Sequence, residues 1–359
     1  MTARPEDRPE GAVRRGLGLI RALAGVVMLA LSLSACTGPH EAAAPRSSTT
    51  TSTTVAPLLE KVPAGRIVPL PGPPVAVAVL PLSAEVVVAT RDPASIIWLD
   101  EDGHRIASRP LSSAPGDVVA AGLAERVVVS LPAAGVVEEY DGPSRLRWRV
   151  RLGGDPGSLA VGGGDRVVVD DPAESVLFEL RHGRMVAEQP VRSEPLIISA
   201  SGSVCWTLER ATGILEARPL STLAPSGRLD VGRSATALVL GGTTGYVLDS
   251  SGRARVLSGL LHPRQVFLAA LRPRSGALAF DPVAHLVWVA ETARNTVASF
   301  DVAHGYLRRI GSFASLRAPD LAVVDSVSGV LAVASSVDAE LELVSVRDAS
   351  SAAAPRSPQ

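Results

Sequence analysis

The chain has 359 residues and a formal charge of −1, with 36 acidic against 35 basic side chains. That balance offers no basic field for nucleic acid and no acidic tail. Lys61 is the only Lys, so the cations are Arg, which fits either bidentate anion recognition or a GC-rich coding bias. Aromatic residues are 3% of the chain, which argues against a sugar-binding surface built on stacking. In chain order, the first element lies outside any folded domain. Arg14 and Arg15 precede an apolar run over residues 17–33, interrupted by Arg21. This length with those flanks predicts a signal peptide rather than a stable membrane span.

The run ends in Leu33-Ser34-Ala35-Cys36, which resembles the lipobox of bacterial lipoproteins. The resemblance implies cleavage after Ala35, leaving residues 1–35 as the signal peptide. It also implies lipidation of Cys36 and a lipid bilayer as the first partner, the mature chain lying on the outer face of the cytoplasmic membrane. Each buried CH₂ contributes about 0.8 kcal/mol, so two or more acyl chains anchor a soluble domain firmly. A secretory signal with an incidental Cys is the competing reading. The Arg pair also resembles a twin-arginine export signal. Residues 36–62, with SSTTTSTT flanked by Ala and Pro, are too poor in apolar side chains to fold and are expected to form a disordered tether. Cys205 is then the one remaining thiol, expected to be a small buried hydrophobe within the strand pattern SVCWTL.

From residue 63 to 347 short apolar runs of strand length recur between turn residues. Residues 75–111 contain VAVAVL, EVVVAT, SIIWLD and RIASRPL. The next units contain RVVVSL and LRWRVRL, then RVVVDD and RMVAEQPV, then LIISA and VCWTLE, then ATALVLG and QVFLAAL. The sixth unit, residues 277–312, has runs at 277–280, 286–290, 296–300 and 306–312, and the seventh has LAVVD, VLAVAS and LELVSV. A spacing of about 40 residues is that of a four-stranded propeller blade. The seventh unit lacks a fourth run, and an orphan run, residues 66–70, precedes the first unit. Its basic-apolar opening and Pro-containing exit match the fourth strands at residues 105–111 and 184–191. The expectation is an all-β, seven-bladed β-propeller closed by an N-terminal strand, with residues 348–359 a disordered tail. Closure removes the exposed edges of an open stack.

The sixth unit, ALAFDPVAHLVWVAETARNTVASFD, resembles the YVTN or YncE-like seven-bladed propeller repeat. The matching features are Asp281-Pro282 closing the first strand, Val287-Trp288-Val289-Ala290 in the second, Asn295-Thr296-Val297 opening the third and Asp301 closing it. The resemblance implies a bacterial surface propeller with no established catalytic role, in which Asp281 and Asn295 serve turns by bonding nearby backbone.

Candidate chemistry is sparse. His104, His182 and His304 stand at third-to-fourth-strand turns of three different blades, and His285 in a first-to-second turn, so no pair shares a metal and none is expected. There is no G-x-S-x-G elbow. Gly162-Gly163-Gly164 and Gly241-Gly242 lead from strand to strand, so they are expected to be hairpins rather than phosphate loops. The first strands, expected to line the channel, are small and apolar, with no ring of His, Glu or Asp and no cofactor expected.

What remains is the face carrying the fourth-to-first and second-to-third connections. The repeat frame gathers Arg91, Asp92, Asp155, Asp170, Asp171, Glu194, Arg233, Arg272, Arg274, Glu291, Arg294, Asn295, Arg317, Asp320 and Asp338 there. Loops on a rigid scaffold are where binding concentrates, although a merely solvated rim carries the same charges. The expectation is a monomeric, non-enzymatic scaffold that binds a protein or envelope ligand. The alternatives are a lactonase-like propeller hydrolase and an envelope-assembly factor.

Overall fold

Seven four-stranded antiparallel sheets carry the whole fold. The computed structural model describes residues 56–122, 125–191, 196–272 and 274–347. Six sheets are built from consecutive strands and span residues 74–110, 117–151, 159–190, 196–230, 235–270 and 277–314, here blades 1 to 6. Blade 7 takes its first three strands from the end of the chain, Leu321–Asp325, Val330–Ser335 and Glu340–Ser345, and its outer strand from Arg66–Pro69. That outer strand pairs antiparallel with the third, Arg66 opposite Leu343 and Pro69 opposite Glu340. The seven-bladed ring closed by an N-terminal strand is therefore what the repeats predict.

Burial follows strand position. The second strands are hidden between neighbouring blades, and Arg126–Leu131 and Leu286–Glu291 are buried at every residue. The outer strands alternate, as Arg145–Arg151 does, because one side faces water. The apolar core falls into seven clusters, each filling one interface between successive blades, with the last joining blade 7 to blade 1. Trp98, Trp206 and Trp288 are fully buried in these interfaces. Burial of apolar surface between blades thus supplies the main stabilisation. Cys205 is buried in Val204–Glu209, and burial pushes its thiol up to about 12.

The chain meets the ring before the closing strand begins. Pro57 O accepts a bond from Asn295 Nδ2 at 2.8 Å, and Ala64 N–H donates to Ala314 O at 2.9 Å, both on blade 6. Gly65 N–H then donates to Oε1 of the buried Glu342 at 2.7 Å. A Cβ on Gly65 would lie 2.4 Å from Leu343 O, so only glycine admits this approach. No described helix is long and apolar enough to cross a membrane.

Candidate functional site

Successive strands reverse direction, so the fourth-to-first and second-to-third connections share one face of the ring, here called the upper face. The expected site residues that are described all belong to its connections or the adjoining strand ends, but burial divides them. Arg91, Asp92, Asp155, Arg233, Arg272, Arg274, Arg294 and Asp338 are exposed. Asp170 and Asp171 end the second strand of blade 3, Glu291 ends that of blade 6, and Asn295 follows it; all four are buried. Arg317 and Asp320 are half-buried. Glu194 lies outside the described residues. Burial thus divides this face into an outer set of charges above an inner set that holds the loops.

The inner set ties blades together at the channel mouth. Asp170 Oδ2 accepts the Leu196 N–H that opens the inner strand of blade 4, at 2.8 Å. Asp117, at the head of the inner strand of blade 2, does the same for Leu159 of blade 3, also at 2.8 Å. Ser158 Oγ–H donates to Leu196 O at 2.8 Å and Ser130 Oγ–H to Gly157 O at 2.6 Å. Asp117 and Ser158 were missed as site residues although each directly precedes an apolar inner-strand run, where a short polar side chain can reach the next blade's backbone. Burial pushes Asp117 up to about 6. Burial, offset by the Leu196 bond and reinforced by Asp171, pushes Asp170 up to about 7, and its Oδ1 has no hydrogen-bond partner among the described residues. Asp170 can therefore exchange a proton near neutral pH.

The inner set of blades 6 and 7 is paired differently. Glu291 Oε1 lies 2.9 Å from Arg309 Nη1 and 3.7 Å from Arg272 Nε, while Oε2 accepts from Thr296 at 2.8 Å. Asn295 takes φ +57° after a single helical turn, as its short polar side chain permits. Its Oδ1 accepts the Ala318 N–H at 2.9 Å, and its Nδ2 reaches Pro57. It therefore fastens two distant segments rather than only its own turn. Asp281 does serve its own turn, accepting from Val283 and Ala284 N–H, each at 2.9 Å. Arg317 and Asp338 pair at 3.4 Å, and Asp320 accepts from Ser336 N–H at 3.0 Å. Two openings lie among these elements. One, of 480 Å³, runs between residues 57–61 and the Ala293–Thr296 turn of blade 6. The other, of 230 Å³, separates blades 3 and 4 beside Glu209, Glu216, Arg218 and Arg228.

His104, His182 and His304 sit at separate third-to-fourth-strand turns on the opposite, lower face. Among the described residues no three His, Cys, Asp or Glu are grouped to hold a metal ion.

No family model matches the sequence, and no curated protein matches it. Solved structures do. A chain of the mitotic checkpoint complex superposes with a TM-score of 0.65 at 11% identity, covering 87% of this chain and 98% of that one. The selenomethionine-substituted virginiamycin B lyase of Staphylococcus aureus superposes with a TM-score of 0.64 at 10% identity, covering 78% and 98%. At such identities the likeness establishes the fold alone: this chain is a seven-bladed β-propeller.

Proposed function

We propose that this chain is a lipid-anchored, extracytoplasmic propeller of the YncE-like kind, acting as a non-enzymatic scaffold for a protein or envelope ligand. One observation carries the scaffold reading. Over blades 5 and 6, Arg233, Arg272, Arg274 and Arg294 are exposed on the upper face, while Asp249 and Glu291 are buried. Asp249 already pairs with Arg255 at 3.0 Å, and Glu291 with Arg309. The charge offered outward there is positive, on loops held by rigid blades, and suits a partner with acidic groups. The lipid anchor rests on Leu33-Ser34-Ala35-Cys36 after its apolar run. Pro57 lies beside this same sector through Asn295, which agrees with a tether that presents the upper face close to its anchor.

A propeller hydrolase is the second reading, favoured by Asp170 with its raised pKa and unpartnered oxygen at the channel mouth. A hydrolase substrate panel separates the two, because Asp170→Asn would abolish turnover in the second and leave partner capture intact in the first.

The scaffold test reverses Arg233, Arg274 and Arg294 to Glu. Each is exposed, so each substitution should change stability by no more than about 0.5 kcal/mol. Capture of the native partner from solubilised membranes should fall, most at low ionic strength where screening is least. The matched control reverses Arg105, Arg145 and Arg264, which open outer strands on the lower face. Equal loss from both triple variants, with both folded, would refute the upper-face assignment.

A further inference from the structure

On the lower face blades 1, 2, 3, 5 and 6 each end in a lateral row. It is formed by the first residue of the second strand, the last of the third and the first of the fourth. In blade 2 the row is Arg126, Asp141 and Arg145, and in blade 6 it is Leu286, Asp301 and Arg308. The central Asp answers the outer arginine in each, at 3.5 Å for Arg145 and 2.6 Å for Arg308. Blade 3 breaks the pattern. Its row is Arg166, Arg181 and Arg184, each directly opposite the next in register. Directly opposed residues of antiparallel strands project to the same side with Cβ atoms about 5 Å apart, and like charges so placed destabilise the pair.

Compensation from the protein is incomplete. The buried Glu179 lies 3.4 Å from Arg166 Nε and acts on Arg181 at longer range. Asp165, next along the chain, is committed to Arg126 of blade 2 at 2.6 Å. Arg184 has no ion-pair partner among the described residues, and both it and Arg181 are exposed. Three positive charges less the one on Glu179 leave two unanswered.

The row faces a cleft. Arg166 and Arg181 share a 430 Å³ opening with Ser203 and Ser221 of blade 4. Its inner end is shut by backbone. A Cβ on Gly162 would lie 2.2 Å from Leu220 Cδ1, and Gly163 N–H donates to Gly202 O at 2.6 Å, so glycine alone lets the two blades meet there. Further out, Arg181 and Arg184 flank a second opening beside His182. The glycine run is the hairpin that its position between strands predicts, and its effect is to set the depth of this cleft.

We infer that the cleft binds a phosphate-type dianion, which takes the place that Asp141 and Asp301 hold in the rows of blades 2 and 6. Planar guanidinium groups match two oxygens of such an anion, and the serine hydroxyls are neutral donors within the same opening. Two negative charges balance the two left unanswered. The site is on the face opposite the proposed scaffold surface and is independent of it.

The test melts the purified full chain in phosphate and in chloride at equal ionic strength, beside Arg181→Asp, which rebuilds the row of blade 2. Saturating phosphate should raise the wild-type Tm by several degrees, since a ligand that binds only the folded state stabilises it. Arg181→Asp should lose that gain and melt above wild type in chloride. Exclusion of phosphate from the protein surface stabilises both alike, so their difference isolates the site. Arg184→Gln, a milder change at an exposed position, should weaken phosphate affinity roughly 10-fold by calorimetry. Vesicles containing phosphatidic acid, beside neutral vesicles, distinguish sources, with both proteins carrying Cys36→Ala so that no acyl chain drives sedimentation. Preferential sedimentation of wild type but not Arg181→Asp with the acidic vesicles assigns a lipid headgroup, and a phosphate response without it assigns a soluble ligand. Equal phosphate shifts in wild type and Arg181→Asp would overturn the inference. So would no shift in wild type together with equal sedimentation of the two proteins.

Discussion

Replacing Asp170 by Asn should change how stability depends on pH. The ordinary carboxyl value is 3.8 and burial in the ring raises it to about 7. Between those values the unfolded chain has released its proton while the folded chain retains it, so folding is weakened as pH rises through that window. Below the window both states are protonated and no loss occurs; above it both are ionised and the loss is complete. A window of roughly 3 pH units at 1.36 kcal/mol each sets an upper figure of about 4 kcal/mol. Asn cannot ionise, so the variant lacks this slope. Its amide oxygen still accepts the Leu196 N–H, while its NH₂ takes the place of Oδ1, which has no described partner, at a pH-independent cost of about 1–3 kcal/mol. Asp117 has a shift of the same sign but is present in both proteins and cancels in the comparison. At about 2 °C per kcal/mol for a ring of this size, Asp170→Asn should gain up to about 8 °C in Tm relative to wild type between pH 4 and pH 8. Thermal melts of both proteins at unit pH intervals measure this. Parallel profiles would show that Asp170 titrates normally and that its burial carries no electrostatic penalty.

Other outcomes follow from the anchor, the closure and the thiol. Cys36→Ala should move the protein from the membrane to the soluble fraction, and a variant that stays bound through a salt wash would disprove lipidation there. Deleting residues 64–70 removes the outer strand of blade 7 and uncovers Leu341 and Leu343, so the Tm should fall by several degrees or the protein should aggregate; an unchanged melt would refute the closing role. Cys205, buried with its thiol near 12, should resist alkylation in the native state and react at once in denaturant; fast native labelling would contradict its burial.

The blades were legible because each strand position has its own burial pattern. RVVVSL and LVWVAE are continuous apolar runs because second strands are covered on both sides, and the outer RLRWRVR alternates because one side meets water. Closure was legible because residues 66–70 share the outline of a fourth strand. The run expected at residues 306–312 begins two residues later, at Arg308–Ala314. Leu307 is apolar as a core residue beneath the turn rather than as the start of the strand. The upper face was only half legible. Asp170, Asp171 and Glu291 look like loop charges in a linear pattern. What buries them is an N–H or a guanidinium from another segment, such as Leu196 for Asp170 or Arg309 for Glu291. The arginine row of blade 3 was hidden for a related reason: its members become neighbours only once the register of three strands is known.

The closing strand also orders events in time. Gly65 and Glu342, which join the two ends of the ring, are 277 positions apart in the chain. At synthesis rates of roughly 5–20 residues per second, the outer strand of blade 7 waits about 14–55 s for the strand it pairs with. Blades 1 to 6 are each local in sequence and can pair internally as they appear, whereas the seventh requires residues 66–69 together with residues 321–345. Loop closure over such a separation is slow, and until it happens the third strand of blade 7 keeps an unpaired edge. Completion of the ring therefore depends on residues 340–343 meeting residues 66–69. A product that stops short of residue 340 has no third strand in blade 7, so residues 66–69 are left without the strand they pair with.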